Sequence, residues 1–552
     1  MEVILDIETD SLNATQIHCI VAKEVKSGKV YEWTKDDCYT SFPNFAKNIE
    51  TFVMHNGISF DAPVLNRLAG TNIKLSQIKD TLILSQLCNP IRDGGHSLEA
   101  WGERLNFNKI DFSDYSQFTE EMLTYCKRDV DVTQRVYISL QEEIKTLGVS
   151  QQSIDLEHKV RALINQQERN GFALDIPKSM CLVNKLEDMA TKIENDLQKR
   201  YPPIVEERYS EKTGKKLKDK VTIFNPASRQ QIASRLMEQG WVPEKTTEKG
   251  HPIVDETVLM EIDLPDAKII AEYLLLQKRV AQVKSWLELV QEDGKVHGKV
   301  LTLRAVTGRM AHNSPNVAQV PAVYSPYGKE CRECWTVASP NNVLVGCDAS
   351  SLELRVLAHY LGDTKFIKEV VEGDIHTANQ NAAGLETRDQ AKTFIYAFIY
   401  GAGPAKIGSI VGGGWNEGQG LIDKFLENVP SLKTFREKVD KVAARGNLAG
   451  IDGRKLIVRS QHAALNLLIQ GGGAIICKQW LIEIDKLKKI RKLRADLVAS
   501  IHDEYQFEVH KEDAEKFGEV TKLAMKETER KLNVRCPLGS EYKIGLNWAE
   551  TH

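Results

Sequence analysis

The stretch "LVASIHDEYQFEV", residues 497–509, places an acidic cluster in a pattern that is otherwise typical of a β-strand. Its apolar and polar residues alternate, as they do in a strand with one buried face. Asp503 and Glu504 follow His502 in the middle of this pattern, and charged side chains weaken a buried strand. Either water at a hairpin tip or a bound cation must therefore compensate their charge.

The bulk composition is that of an ordinary globular protein with several domains. The chain has 552 residues, of which 42% are hydrophobic and 27% are charged. Lys and Arg total 73 against 76 Asp and Glu, so a nucleic-acid enzyme is compatible with this balance only if its basic residues are segregated. The ten cysteines are scattered, which suits a reducing cytosol, and Cys331 and Cys334 in "CREC" lack a second pair for zinc. The N-terminal sequence "MEVILDIETD" has no basic segment and no long apolar run, so we expect a cytoplasmic protein with no membrane segment.

The hydrophobic pattern divides the chain into three regions. Residues 1 to about 140 mix short β-like runs, "EVILDIE" and "TFVMHN", with helical segments, as an α/β domain does. Residues 154–200 are helical in pattern, and residues 201–226 form a loop or exposed hairpin around "KTGKK". Strands and helices mix again after residue 298. The loop carries five lysines, which form either a solvated face or a phosphate-binding surface: Lys212, Lys215, Lys216, Lys218 and Lys220.

Carboxylates from separate segments of the N-terminal region could share metal ions. Asp6 and Glu8 are two apart on a predicted strand, so they point to the same face, where their like charges need neutralising. Asp61 lies near the start of a predicted helix, and Tyr125 and Asp129 share one helix face. Each feature alone is typical of a surface. Together, four carboxylates and a water-orienting tyrosine match the requirements of two-metal phosphodiester hydrolysis.

The N-terminal motifs resemble those of proofreading 3′–5′ exonucleases of the four-carboxylate-plus-tyrosine type. The matching stretches are "DIET", "HNGISFD", "HSLEAWG" and "YCKRD". This resemblance implies a ribonuclease H-like fold. It also implies that Asp6, Glu8, Asp61 and Asp129 bind metal and that Tyr125 positions the attacking water.

A second set of candidate residues lies in the C-terminal half. "NVLVGCDASSLELRVLAHYLGD" predicts a buried strand that ends at Asp348, followed by a helix capped near Ser350 or Ser351. Asp348 itself is either a metal ligand or a helix-capping aspartate. If Asp503 sits at a hairpin tip, it can meet Asp348 across a shared metal pair. A cation then answers the question raised by the acidic strand.

The stretch "RDQAKTFIYAFIYGAG" predicts a helix with cations and aromatic side chains along one broad side. Four of its residues recur every fourth position, and each step drifts by about 40° around a helix. Such a row could hold a polyphosphate and stack a base, or could simply be an amphipathic surface. The four residues are Arg388, Lys392, Tyr396 and Tyr400.

These stretches resemble the palm and finger motifs of family A DNA polymerases, in the style of the replicative enzymes of short-tailed coliphages. "VTGRMAHNSPNVAQVP", "DASSLELR", "GDIHTANQ", "GRKLIVRSQHAALN" and "HDEYQFEV" occur in the same order. The resemblance implies an α/β and α+β multidomain protein, with a ribonuclease H-like exonuclease domain and a right-hand polymerase domain. The implied regions are exonuclease 1–150, thumb and connecting region 151–300, palm 301–360 and 441–552, and fingers 361–440.

The same resemblance implies a role for individual residues in DNA synthesis. Asp348 and Asp503 would bind two Mg²⁺ ions, which Mn²⁺ can replace. The substrates would be primer–template DNA and deoxynucleoside triphosphates. His376, Arg388 and Lys392 would hold the triphosphate, with Tyr396 and Tyr400 beside the incoming and templating bases, and Lys392 would protonate the leaving group. Arg309, Gln470 and His502 would contact DNA, the first two through minor-groove acceptors that every correct base pair presents.

Two positions and one missing segment refine the expectation. Glu353 resembles a steric gate against ribonucleotides, and the hydroxyl of Tyr396 is expected to favour acceptance of dideoxynucleotides. The thioredoxin-recruiting relatives carry a much longer thumb insertion where this chain has only residues 201–223. We therefore do not extend thioredoxin binding from these relatives to this chain. The sequence does not decide whether a helicase–primase is a partner. Phage genome replication, in the host cytoplasm, is the expected role. A host-type repair polymerase is the alternative, ahead of a lone nuclease, a non-catalytic DNA-binding protein or an RNA polymerase.

Overall fold

The N-terminal region is a mixed sheet covered by helices. The computed structural model describes residues 1–552. Residues 1–150 form β1 (Glu2–Thr9), β2 (Ile17–Glu24), β3 (Val30–Thr34), α1 (Asp37–Thr40), α2 (Phe42–Ala46), β4 (Thr51–Met54), α3 (Asp61–Leu68), β5 (Ile78–Asp80), α4 (Thr81–Cys88), α5 (Leu98–Arg104) and α6 (Glu120–Leu147).

The strand order β3-β2-β1-β4-β5 places β1 at the centre of this sheet. β1 pairs antiparallel with β2 and parallel with β4, and β4 is parallel to β5. Nearly every residue of β1 is buried, because α6 packs across β1 and β2. The strands expected at "EVILDIE" and "TFVMHN" are confirmed as β1 and β4. Because these two strands are parallel, the residues at their carboxyl ends share one edge of the sheet.

The middle region is mainly helical. Residues 151–301 form α7 (Gln151–Asn170), β6 (Phe172–Leu174), α8 (Ile176–Arg200), β7 (Ile204–Glu206), β8 (Lys220–Thr222), α9 (Arg229–Glu238), α10 (Glu256–Glu261), α11 (Pro265–Leu289), β9 (Lys295–Val296) and β10 (Lys299–Leu301). The helical prediction for residues 154–200 is correct in type but misses a break. Gly171 adopts a φ of +63° and ends α7, and the short strand β6 follows. The lysine-rich segment is an exposed hairpin, as predicted, with β7 and β8 paired antiparallel.

The C-terminal region combines a four-stranded sheet with many helices. Its elements are β11 (Ala311–Asn313), α12 (Gly328–Glu333), β12 (Trp335–Thr336), β13 (Asn342–Ala349), α13 (Leu352–Leu361), α14 (Thr364–Val371), α15 (Ile375–Ala383), α16 (Arg388–Ile399), α17 (Pro404–Gly408), α18 (Trp415–Asn428), α19 (Pro430–Ala443), β14 (Asn447–Ala449), β15 (Lys455–Ile457), α20 (Ala464–Ile490), β16 (Ala495–Ile501), β17 (Glu504–His510), α21 (Ala514–Lys531) and β18 (Ser540–Gly545).

This sheet is antiparallel throughout, in the order β16-β17-β13-β18. α21 packs against β13, β17 and β18, and α20 lies against α21. α13 crosses α20 where Gly472 is buried, and a Cβ atom there would lie 2.7 Å from a methyl group of Val356. Gly472 in the "GGG" run therefore lies at a close approach between α13 and α20.

One detail of the predicted helix start after β13 is wrong. Ser351 does precede α13, but its backbone is left-handed, with a φ of +50°, and its side chain makes no capping hydrogen bond. Arg355 fixes this junction instead, because its Nε donates to Ser350 O at 2.8 Å. The preceding strand β13 ends one residue after Asp348, close to the predicted end.

The segment Gln461–Ile490, which contains α20, is long and apolar enough by length and composition to cross a membrane. Its most apolar window is 89% buried inside the protein, as is usual for a core helix. Cys331 and Cys334 are likewise buried, in and after α12, and neither forms a disulfide.

Candidate active sites

The N-terminal carboxylates converge at the carboxyl edge of the first sheet, as predicted. Asp6 and Glu8 project from β1, and their carboxylate oxygens lie within 4.8 Å of each other and of Cys126 Sγ. Asp61 is the buried first residue of α3. Asp129 and Tyr125 lie one turn apart on α6, and both are buried.

A further carboxylate, Asp80, shapes the loop that leads to Asp61. Asp80 is buried at the end of β5, and its two oxygens accept hydrogen bonds from Asn56 N at 3.0 Å and Ile58 N at 3.1 Å. Asn56 is left-handed, with a φ of +66°. These bonds hold the "HNG" turn in place. Local sequence patterns do not identify Asp80, because its partners lie more than 20 residues away.

The electrostatics of this cluster fit bound divalent cations. Burial raises the pKa of Glu8 to about 8, helped by the charge of Asp129, and burial raises the pKa of Asp61 to about 7. Burial and the charge of Glu8 also raise the pKa of Asp6 well above its usual range. The buried Oδ1 of Asp129 has no hydrogen-bond partner. An all-carboxylate oxygen donor set with an orphaned oxygen matches hard cations such as Mg²⁺.

Lys109 is a cation inside this acidic cluster that the sequence analysis missed. Its Nζ lies 2.6 Å from Asp129 Oδ2 and 4.8 Å from the centroid of the Tyr125 ring. Lys109 belongs to the segment 105–118, between α5 and α6, which has no regular secondary structure. No local pattern distinguishes it from a solvated lysine, so only the tertiary structure reveals it.

Asp348 and Asp503 meet at the end of the C-terminal sheet, as predicted. Asp503 occupies the turn between β16 and β17, and its carbonyl oxygen accepts a hydrogen bond from Ala349 N at 3.1 Å. Asp348 lies beside it, near the end of β13 and opposite Glu541 of β18. The Asp348 side chain opens to solvent at this edge but is ringed by carboxylates, and neither aspartate makes a side-chain ion pair with the protein.

The surroundings of Asp348 and Asp503 also fit divalent cations. Desolvation by the surrounding protein raises the pKa of Asp348 to about 8, and the charge of Asp503 adds to this effect. Burial and the charge of Glu353 raise the pKa of Asp503 to about 6. Two adjacent aspartates without a cationic partner present oxygen ligands whose repulsion a divalent ion would relieve.

Glu504, next to Asp503, is compensated by the protein itself. It accepts hydrogen bonds from Trp548 Nε1 at 2.7 Å and Gln506 Nε2 at 2.6 Å, and it contacts His552 Nδ1 at 2.6 Å. Burial raises its pKa, but these partners outweigh burial and leave the pKa below its ordinary value. Asp503 and Glu504 thus differ: only Asp503 still requires a partner.

Helix α16 presents the predicted row of side chains on one side. Arg388, Lys392 and Tyr400 are exposed and Tyr396 is half-buried, although α16 ends at Ile399, so that Tyr400 follows its last residue. Arg388 makes a two-bond ion pair with Asp374, with Nε–Oδ2 at 2.7 Å and Nη2–Oδ1 at 3.2 Å. Asp374 also caps α15.

The predicted nucleotide and DNA contacts come from α15, α16, α20, the loop before β11 and the turn between β16 and β17. His376, in the first turn of α15, lies with its ring centroid 6.3 Å from that of Tyr396. Arg309 Nη2 lies 3.0 Å from Glu353 Oε1, and Tyr400 Oη donates to the same oxygen at 3.3 Å. Gln470 is half-buried on α20, and His502 is exposed in the hairpin turn with a φ of +54°.

Two family models match the chain. Residues 187–550 match the model of DNA polymerase family A, and residues 1–145 match a 3′-5′ exonuclease model. The fold is also similar to a solved structure, "POL domain of Pol1 from M. smegmatis complex with DNA primer-template and dNTP". That match has a TM-score of 0.81 at 17% identity and covers 99% of this chain and 95% of the other.

Phage enzymes are among the most similar relatives. The DNA-directed DNA polymerase of Enterobacteria phage T3 is 33% identical over 99% of this chain and 99% of its own length. That of Escherichia phage T7 is 33% identical over 100% of both chains. DNA polymerase I of Treponema pallidum is 24% identical over 91% of this chain and 51% of its own length. The chain is a DNA-directed DNA polymerase of family A with a 3′–5′ exonuclease domain.

Proposed function

We propose that this enzyme replicates a phage genome by template-directed DNA synthesis and proofreads its product with the N-terminal exonuclease. The observation that carries the polymerase site is the pair Asp348 and Asp503, which are adjacent and make no ion pair with a lysine or arginine. The full-length likeness to the polymerases of phages T3 and T7 supports replication over the repair role of a DNA polymerase I.

The residues of the polymerase site have different roles in nucleotide addition. Asp348 and Asp503 would hold two Mg²⁺ ions, which would supply activation of the primer 3′ hydroxyl and neutralisation of the triphosphate charge. Arg388, Lys392 and His376 bind the triphosphate, and Arg388 exchanges Asp374 for phosphate oxygens. The primer 3′ oxygen bonds to the α-phosphorus as the bond to the bridging oxygen breaks, and Lys392 gives a proton to the departing pyrophosphate.

The exonuclease residues cleave the last phosphodiester bond of a mispaired primer. Two divalent cations would be held by four carboxylates and would supply Lewis-acid chemistry at the phosphodiester: Asp6, Glu8, Asp61 and Asp129. Tyr125 holds the attacking water at the phosphorus, where its oxygen displaces the 3′ oxygen of the penultimate nucleotide. The proposed domain boundaries follow this division, with residues 1–150 as exonuclease, 151–300 as thumb and connection, 301–360 and 441–552 as palm, and 361–440 as fingers.

Glu353 selects deoxyribonucleotides. It lies in the first turn of α13 and is held by Arg309 and Tyr400, so its side chain has a fixed position at the cleft. Such a side chain leaves no room for a ribose 2′ hydroxyl. We expect Glu353→Ala to raise ribonucleotide incorporation relative to deoxynucleotide incorporation by about tenfold or more. Unchanged selectivity in single-nucleotide kinetics would remove this role from Glu353.

Tyr396 favours acceptance of chain-terminating dideoxynucleotides, because its hydroxyl supplies a polar group near the sugar. The ring of Tyr396 is half-buried on α16. Burial raises the pKa of Tyr396, and the negative charge of the nearby Glu353 raises it further. In Tyr396→Phe we expect the ratio of dideoxy to deoxy incorporation to fall, with deoxy incorporation retained. Equal ratios for the two enzymes would show that the hydroxyl has no such effect.

Processivity rests on the lysine hairpin rather than on thioredoxin. The alignment with the phage T7 enzyme spans 703 positions against 552 residues here, so the relative has segments without a counterpart in this chain. Lys216 and Lys220 pair with Glu207 and Glu206, whereas Lys215 is exposed beside them and makes no ion pair. Lys215→Ala with Lys212→Ala should shorten products and flatten their salt dependence. Unchanged product length would show that these lysines are solvated and do not hold the DNA. A helicase–primase partner is compatible with this role.

A further inference from the structure

Lys109 is placed too specifically to be a solvated surface lysine. Only 23% of its side chain is exposed, although Lys109 lies in a segment without regular structure. Its ammonium group is 2.6 Å from Asp129 Oδ2 and lies over the Tyr125 ring. It therefore contacts two residues of the proposed exonuclease site at once.

The segment that carries Lys109 is held in position by neighbouring contacts. Arg128 Nε donates to Asn108 O at 2.7 Å, so the residue before Asp129 anchors the residue before Lys109. Further along the segment, the ring of Phe112 stacks on Tyr125 with centroids 5.3 Å apart. Tyr115 O bonds to His18 Nε2 at 3.0 Å, which ties the segment to β2. The position of the ammonium is thus preorganised.

An ammonium and a divalent cation cannot both occupy the same side of Asp129, because their positive charges repel. The positive charge of Lys109 also acts on two neighbouring carboxylates, Asp6 and Glu8. When a metal ion binds Asp129, the ammonium group of Lys109 loses its ion-pair partner. The anion that then enters the site is the phosphodiester of the DNA 3′ end, and a lysine binds phosphate as a point charge.

We propose that Lys109 couples metal binding to DNA binding in the exonuclease site: it pairs with Asp129 while the site is empty, and it contacts the scissile phosphate once metal and DNA arrive. This inference rests on the proposed metal-binding role of Asp6, Glu8, Asp61 and Asp129. It implies that the metal-free site disfavours metal until a single-stranded 3′ end provides the ammonium with a new partner. Linkage then requires metal and DNA to strengthen each other's binding equally.

The test measures metal affinity rather than cleavage. The parent protein carries Asp348→Asn and Asp503→Asn, so that the polymerase site does not contribute. Mn²⁺ binding is followed by electron paramagnetic resonance, with and without an oligothymidylate whose 3′ linkages are phosphorothioates. We expect the oligonucleotide to tighten Mn²⁺ binding by about 5- to 10-fold in the parent. Lys109→Met should bind Mn²⁺ about tenfold more tightly without DNA and should lose most of the DNA effect, whereas Lys109→Arg should retain it.

Identical Mn²⁺ affinities and identical DNA effects in the parent and in Lys109→Met would overturn this inference. Failure of the exonuclease metal site itself would give a different result. In that case, adding Asp6→Ala to the parent would leave its Mn²⁺ binding unchanged. In the otherwise wild-type chain, Lys109→Met should lose about 100-fold in degradation of single-stranded DNA and keep primer extension within about twofold. Loss of primer extension as well would make Lys109 a structural residue and would also overturn the inference.

Discussion

At the scale of single residues, spacing in the sequence located ligands but not their supports. The local sequence pattern determines where a strand ends or turns. It therefore locates Asp6 and Glu8, and likewise Asp348 and Asp503. Two of the partners of Glu504, Trp548 and His552, come from the last residues of the chain, and Lys109 reaches Asp129 from a segment without regular structure. Such contacts depend on the tertiary fold, and no local periodicity encodes them.

The raised pKa values at the polymerase site make metal binding dependent on pH. Asp348 has a folded pKa of about 8 against an ordinary 3.8. In the metal-free protein its neutral form contributes stability that is fully present below pH 3.8 and is lost as pH rises through about 8. Metal binding requires the ionised form, so it competes with protons below pH 8. We expect the rise in melting temperature caused by Mg²⁺ to grow from pH 6 to pH 8 in Asp6→Ala, whose exonuclease site is disabled.

Thermal unfolding at fixed ionic strength, with and without Mg²⁺ at each pH, measures this increment. The same variant with Asp348→Asn added provides the control, because an amide does not titrate. Its increment should be small and independent of pH. An increment in Asp6→Ala that is equal at pH 6 and pH 8 would contradict the proposed competition between proton and metal.

At the scale of elements, α7 connects the two catalytic regions. His158 Nε2 accepts a hydrogen bond from Asp80 N at 2.9 Å on the exonuclease side. The next residue back, Glu157, is fully buried and binds Lys478 Nζ of α20, at 2.8 Å from each oxygen, and Arg454 Nη1 at 2.7 Å. The periodicity of residues 154–200 predicted the helix. It did not reveal this buried ion pair, because a glutamate and a histidine in a helical pattern are typical of an exposed face.

Breaking this ion pair from one side should be costly. Glu157→Gln leaves the buried Lys478 without a carboxylate and leaves Arg454 with Asp452 as its remaining partner, so we expect the free energy of unfolding to fall by about 3–5 kcal/mol. Lys478→Met should cost less, because Arg454 still neutralises Glu157.

Urea unfolding, followed separately for the exonuclease and polymerase regions, measures both changes. The double variant should be more stable than the sum of the single losses predicts. A loss below about 1 kcal/mol in Glu157→Gln would contradict the proposed importance of this pair.

At the scale of the whole molecule, the sequence was sufficient for the fold class and the family. The order of motifs, from "DIET" to "HDEYQFEV", follows the order in which the two catalytic regions occur along the chain. The break at Gly171, the left-handed Ser351 and the arrangement of α7 between the regions were not predictable, because they depend on how distant elements meet. The central claim is that one chain holds two separate metal-dependent sites, one for synthesis and one for degradation.

One experiment tests that claim most directly: a labelled primer–template incubated with Mg²⁺, with and without deoxynucleotides, for the wild type, Asp6→Ala and Asp348→Asn. In the proposed mechanism, Asp6 and Asp348 each hold a metal ion that stabilises developing charge in one of the two reactions, so the loss of either residue should reduce its reaction by at least about 100-fold. We predict that Asp348→Asn loses extension but still degrades the primer, and that Asp6→Ala loses degradation but still extends it. Extension that survives in Asp348→Asn, or degradation that survives in Asp6→Ala, would contradict the assignment of that site.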